Sequence, residues 1–226
     1  VLFFLLAFFF YIDGVYTIIE MATSYGKDVG ISDSNLLLAL LLTQIVAFPF
    51  SIIFGKLTKK YSLKSLITSC IMGYFFIAVF ALWLDSAWKF WLLAVFVAIF
   101  QGAIQALSRS YYAKIIPDNQ ASEYFSIFDI FGKGASFMGT LLMGITTQIT
   151  NNSRYGVIVI ACMFLIGGLI FRFKCAKLDW FLIFISYFIR IFKYEVLLIF
   201  TFFHNFDKII HIKFNLMEKE CLNLWT

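Results

Sequence analysis

Asp13 and Glu20 stand seven residues apart inside one apolar run, Val1 to Ala22. Such a run is long enough to cross a bilayer, which takes about 20 apolar residues. An ionisable side chain at that depth costs roughly 2.5–3.5 kcal/mol on insertion scales, so it persists where it faces a cavity or a partner. Seven residues make about two helical turns, which puts both carboxylates near one stripe with Tyr16 and Thr17, about 10 Å apart along the axis. That stripe is expected to wall a polar path through a membrane; the alternative is a structural acid paired with a base elsewhere. Desolvation disfavours a carboxylate's charge, so Asp13 is the first candidate to bind and release a coupling proton, with Glu20 a second acid nearer the outer face.

Asp129 and Lys133 form a second charged pair in FDIFGKGAS, Phe128 to Ser136. At i, i+4 they are neighbours on one helix face and are expected to neutralise each other as an intramembrane ion pair. Gly132, Ala135, Gly139 and Gly144 lie on the same segment. Ala135 and Gly139 make a small-xxx-small surface for close helix packing. Gln101 and Gln105 share a face with Ser108, where two amides can bind a polar solute or another helix. Gln44 is a single polar residue in the second apolar run. No nucleophile–base–orienter set can be assembled, so enzymatic chemistry is not expected.

These residues are embedded in a chain of 226 residues that is 62% hydrophobic and has only two prolines. Its mean hydropathy is +0.90. Soluble domains are about 45–50% apolar, so an all-α integral membrane protein is expected. Hydropathy places six spans at about 1–24, 35–54, 65–84, 89–108, 123–149 and 154–171. Nine Lys and Arg (Lys56, Lys59, Lys60, Lys64, Arg109, Lys114, Arg172, Lys174 and Lys177) fall on one side of this arrangement, against Lys27, Lys89 and Arg154 on the other. The richer side is read as cytoplasmic, so the first span runs from inside to outside. Trp83, Trp88 and Trp91 flank an outer loop as an aromatic belt would. The net charge of +5 sits at span ends and is not a nucleic-acid footprint. Four cysteines without CxxC spacing, and His204 and His211 without ligand partners nearby in sequence, predict no disulfide framework, no metal and no cofactor.

Valine at position 1 begins inside an apolar segment, so the chain is expected to be the C-terminal part of something longer. All 13 glycines and both prolines precede Leu169, and the chain divides into 1–172 and a basic, aromatic tail, 173–226. Trp180 to Phe203 is expected as an interfacial helix, with a seventh span or non-native sequence as alternatives.

Six spans in two inverted triplets resemble half of a major facilitator transporter. The strings YIDGVY (Tyr11 to Tyr16), EMATSYG (Glu20 to Gly26), LTQIVAFP (Leu42 to Pro49), QGAIQALSRS (Gln101 to Ser110) and FDIFGKG (Phe128 to Gly134) are similar to the "unknown major facilitator" family, relatives of the vacuolar amino-acid effluxers of autophagy. GKLTKKYSLK, Gly55 to Lys64, resembles the superfamily's cytoplasmic loop motif. Gly55, Lys60 and Lys64 fit it; Lys59 stands where the motif has Asp, and Ser62 where it has Gly. The resemblance covers residues 1–172 and implies that spans one and four line a central cavity containing Asp13, Tyr16, Thr17, Glu20, Gln101 and Gln105, with Gln44 beside them. It implies secondary transport of a small polar solute, with amino-acid efflux as the nearest precedent. The implied partners are the bilayer, protons and a missing N-terminal six-helix half, with no nucleic acid. In a bacterium the setting would be the cytoplasmic membrane, with a vacuolar membrane the lesser alternative. The competing reading is a non-transporting membrane fragment whose polar residues only hold helices together.

Overall fold

The structure, a computed structural model, describes residues 1–176. The expectations for the tail from Lys177 onward, including the Trp180–Phe203 helix and both histidines, lie outside the described residues. Six long α-helices follow one another: α1 (Leu2–Asp28), α2 (Asp33–Leu57), α3 (Leu63–Ala81), α4 (Ala87–Ile115), α5 (Ala121–Thr150) and α6 (Ser153–Ile170). A π-helical stretch, Phe171–Ala176, continues α6.

Local chemistry sets the helix ends. Beyond α1, Gly30 turns the chain at φ +87°, a conformation that costs glycine little. Ser62 caps α3 by accepting from the Ser65 N–H at 3.3 Å, so the serine found in place of the loop motif's glycine has a structural task. The fourth helix runs past the expected end at 108 and carries Arg109 and Lys114 on its last turns. It stops at Ile116, which is extended as a residue preceding Pro117 must be. Asn151 closes α5 in the left-handed region, and the Asn152 side chain caps α6 from Arg154 N–H at 3.0 Å.

Five helices are long and apolar enough to cross a membrane: α1, α2, α3, α4 and the segment Ser153–Cys175. The helix α5 forms where the fifth span was expected but is not among them. Its sequence explains this, because it carries three stripes. Phe128, Gly132, Ala135, Gly139 and Met143 are buried. Ile130, Phe137, Leu141, Ile145 and Ile149 form an exposed apolar face. Between the two runs a polar line of Ser126, Asp129, Lys133, Ser136 and Thr140, which lowers the average hydropathy of a helix that still has a broad greasy side.

Helix pairings give two layers. The helices α2, α4, α1 and α5 stand in a row, α4 packing on α2 and touching α1, and α1 packing on α5. Behind that row α3 packs on α4, α6 on α1 and α5, and α3 on α6. At one end the helices are tied by Tyr25 Oη donating to Ala81 O at 2.7 Å and by Ser153 Oγ donating to Asp28 Oδ2. At the other end, aromatic rings of α1, α4 and α5 stack, with Phe8 4.2 Å and Tyr112 4.9 Å from Phe128.

Candidate functional site

The row α2–α4–α1–α5 carries the polar residues anticipated from sequence, but at different depths. Asp13 and Thr17 are both 0% exposed, whereas Tyr16 is half-buried and Glu20 exposed. The two acids share a helical stripe, as their spacing requires, yet only Asp13 is covered. The cover is α5. Gly139 donates its backbone N–H to Asp13 Oδ1 at 2.7 Å. A Cβ at Gly139 would lie 2.6 Å from Asp13 Oδ1 and 3.0 Å from its Cγ, and would overlap Thr17 Oγ1. The missing side chain is therefore what lets the α5 backbone reach the acid. Sequence reasoning treated Gly139 as a packing residue; the available signal was a small-residue step on α5 opposite a buried acid on α1.

Two polar atoms in this seam have no hydrogen-bond partner, Asp13 Oδ2 and Thr17 Oγ1. Buried polar groups are ordinarily paired, so two adjacent orphans mark this seam as unfinished in the state seen. Just below it, Tyr11 Oη and Ser108 Oγ share a buried hydrogen bond of 2.7 Å between α1 and α4.

Gln101 and Gln105 are half-buried on α4, and Gln44 is exposed on α2. Gln44 and Gln101 meet at a cleft of about 40 Å³ between α1, α2 and α4, whose other lining is mainly apolar, including Ile18, Leu40 and Phe90. That volume holds a few waters.

The expected Asp129–Lys133 pair is not the one formed. Asp129 Oδ1 lies 3.8 Å from Arg109 Nη1, and both side chains are more than half exposed. The Arg109 guanidinium also sits 5.2 Å from the Phe125 ring. With α4 extended to Ile115, Arg109 reaches across to α5, while Lys133 lies one turn further along with no acidic partner among the described residues. Of the four small residues assigned to packing, Gly132, Ala135 and Gly139 are buried; Gly144 is not, and a Cβ there meets nothing within 4 Å. Gly55, in the last turn of α2, and Lys59 and Lys60 in the loop beyond it are exposed, and Lys64, in the first turn of α3, is half-buried. At the opposite end Lys89 bridges Asp85 at 2.6 Å and holds its carboxyl below the ordinary carboxylate range. Among the described residues no three His, Cys, Asp or Glu side chains gather as a metal site would need.

Comparison with known proteins places the chain in a family. Residues 1–175 match the family described as "Vacuole effluxer Atg22 like". An uncharacterized MFS-type transporter, YxiO, of Bacillus subtilis is 50% identical over 170 residues, covering 75% of this chain and 40% of the relative. Autophagy-related protein 22 of Saccharomyces cerevisiae is 30% identical over 170 residues, covering 69% of this chain and 32% of that protein. The same protein of Cryptococcus neoformans is 28% identical over 180 residues, covering 72% of this chain and 33% of its own length. The chain thus spans about a third to two-fifths of these relatives, and over nearly all of its described length it belongs to the Atg22-like vacuole effluxer family.

Proposed function

We propose that the chain is the C-terminal six-helix half of a facilitator-type secondary transporter, built as two inverted three-helix repeats, with α5 as the sixth span. It moves a small polar solute by alternating access against a second half; efflux is the direction that the family's description favours, and amino acids are the class implied by the resemblance read from the sequence. The helix pairings support the repeat. Exchanging the triplets α1–α3 and α4–α6 turns α1·α5 into α4·α2 and α1·α6 into α4·α3, and leaves α3·α6 unchanged. The pairing α5·α6 has no equally strong α2·α3 counterpart.

The observation that carries the reading is the buried Asp13, with Thr17 beside it, in a row whose Tyr16, Glu20, Gln44, Gln101 and Gln105 are half-buried or exposed. A coupling group has to alternate between a dry and a wet setting, and Asp13 lies where one helix seam decides which it meets. Tyr16, Thr17, Glu20, Gln44, Gln101 and Gln105 are assigned to the solute path, and Glu20 to a secondary proton site. Glu20 and Lys133 are both exposed and have no ion-pair partner among the described residues. They lie on opposite sides of the Asp13–Gly139 level, about 20 Å apart along the axis. A small solute therefore meets them in succession rather than together. In a bacterium this path would cross the cytoplasmic membrane.

The test is exchange of radiolabelled amino acids in proteoliposomes containing the chain together with the N-terminal portion of the Bacillus relative, and the chain alone. Exchange that needs both parts supports the reading. No exchange of any tested solute by the pair would favour the non-transporting fragment.

A further inference from the structure

We propose that the coupling proton rides on Asp13 Oδ2, and that Gly139 and Thr17 are the positioning residues that place it there. The inference rests on the coupling role assigned to Asp13 above but specifies the atoms. Gly139 N–H commits Oδ1. That leaves Oδ2, buried and without a partner, as the oxygen open to protonation. Thr17 Oγ1 is the other orphan of the seam and crowds the same bare Cα of Gly139. Oδ2 and Thr17 Oγ1 are not bonded to each other in the state seen; when the carboxylate takes up a proton, a small turn of the Asp13 carboxyl lets Oδ2–H donate to Thr17 Oγ1, its i+4 neighbour on α1. The threonine's own hydrogen is then free for the main-chain carbonyl one turn earlier, as Thr140, Thr146 and Thr150 use theirs on α5. When the seam opens, the proton leaves to water and the carboxylate returns to Gly139. Two oxygens are too few for a divalent metal cation, which takes about six oxygen ligands, and suffice for a proton.

The two positioning contacts act in opposite senses. The Gly139 N–H bond favours the ionised carboxylate, and a Thr17 acceptor favours the neutral acid. The other titratable groups on the helices packed here are Tyr11, Tyr16, Glu20, Tyr25, Lys27 and Asp28 on α1, Glu123, Tyr124, Asp129 and Lys133 on α5, Lys89, Arg109, Tyr111, Tyr112 and Lys114 on α4, and Arg154, Tyr155 and Cys162 on α6. Cys162 is exposed, and Arg154 and Tyr155 lie in the first turn of α6. Against Asp13 itself α5 presents a backbone amide rather than a charge.

The test is infrared titration of the full 226-residue chain in phosphatidylcholine–phosphatidylglycerol liposomes, taking the carboxyl C=O band that disappears in Asp13→Asn. Thr17→Val should move the midpoint of that band to lower pH by about 0.5–1 unit, the equivalent of one hydrogen bond. Thr17→Ser should restore it. In a Gly139→Ala background, where α5 withdraws and water reaches the seam, Thr17→Val should move the midpoint no further. A structural role alone would neither be restored by the serine hydroxyl nor depend on Gly139. Absence of any Asp13-dependent band, an unmoved midpoint in Thr17→Val, or the same Thr17→Val shift in the Gly139→Ala background would overturn the proposal. Failure of the transport reading would appear separately, as absent solute exchange with the infrared titration intact.

Discussion

Gly139→Ala should be among the most damaging single-methyl additions in the helical bundle, although alanine is the better helix former. The added Cβ lies 2.6 Å from Asp13 Oδ1 and overlaps Thr17 Oγ1. Neither oxygen is at the end of a long side chain, so α5 must withdraw from α1. Withdrawal breaks a charge-assisted hydrogen bond worth about 1.5–3 kcal/mol and adds an overpacking strain of about 1–3 kcal/mol. Against this, replacing glycine inside a helix recovers about 1 kcal/mol. The net expectation is a loss of about 3 kcal/mol. Gly144→Ala is the internal control, since its Cβ meets nothing within 4 Å; there the helix-propensity gain should stand alone, at about 1 kcal/mol of stabilisation. Both variants can be read by thermal unfolding of the purified chain in detergent, followed by near-ultraviolet circular dichroism. For a chain of this size 1 kcal/mol moves Tm by roughly 2–4 °C, so Gly139→Ala should melt about 6–12 °C lower and Gly144→Ala about 2–4 °C higher. Equal melting of the two variants would refute the close approach of α5 to the Asp13 carboxylate.

Double-mutant cycles should find a coupling of about 0.2–1 kcal/mol between Arg109 and Asp129, as for exposed ion pairs, and none between Asp129 and Lys133; the reverse would restore the i, i+4 pair. Single-cysteine labelling in sealed cells should report Lys27 and Arg154 outside and Lys59 and Lys114 inside, and labelling of Lys59 from outside would invert the topology. Asp85, whose carboxyl Lys89 holds below its ordinary range, should contribute stability above that range and lose it as pH falls through its folded-state titration. Replacing Lys89 by glutamine should return the Asp85 titration, followed by nuclear magnetic resonance, towards its ordinary value; an unmoved titration would remove Lys89 as the cause.

The helices were legible because apolar runs of 18 to 30 residues leave the backbone few other ways to satisfy its hydrogen bonds. Their ends were less so. Arg109 and Lys114 read as loop charges, yet α4 continues through them to the residue before Pro117, since long basic side chains can reach water from a helix end. Spacing correctly placed Asp13, Tyr16 and Glu20 on related faces, but it carries no information about depth. Whether a carboxylate on that stripe is open or covered depends on where α5 crosses, and the contact that covers Asp13 is made by a glycine 126 residues away. The ion pair was misplaced for a related reason. Sequence separation favours the local Lys133, whereas the fold offers Asp129 a more distant guanidinium.

The role of Asp13 is tested most directly by comparing gradient-driven accumulation with solute exchange in proteoliposomes of the complete transporter. Asparagine keeps an oxygen for the Gly139 N–H but cannot carry a proton. Asp13→Asn should therefore abolish accumulation driven by a pH gradient while leaving exchange at or near the wild-type rate, and Glu20→Gln should be milder. Undiminished proton-driven accumulation in Asp13→Asn would contradict the assignment and leave Glu20 as the remaining acid on the α1 stripe.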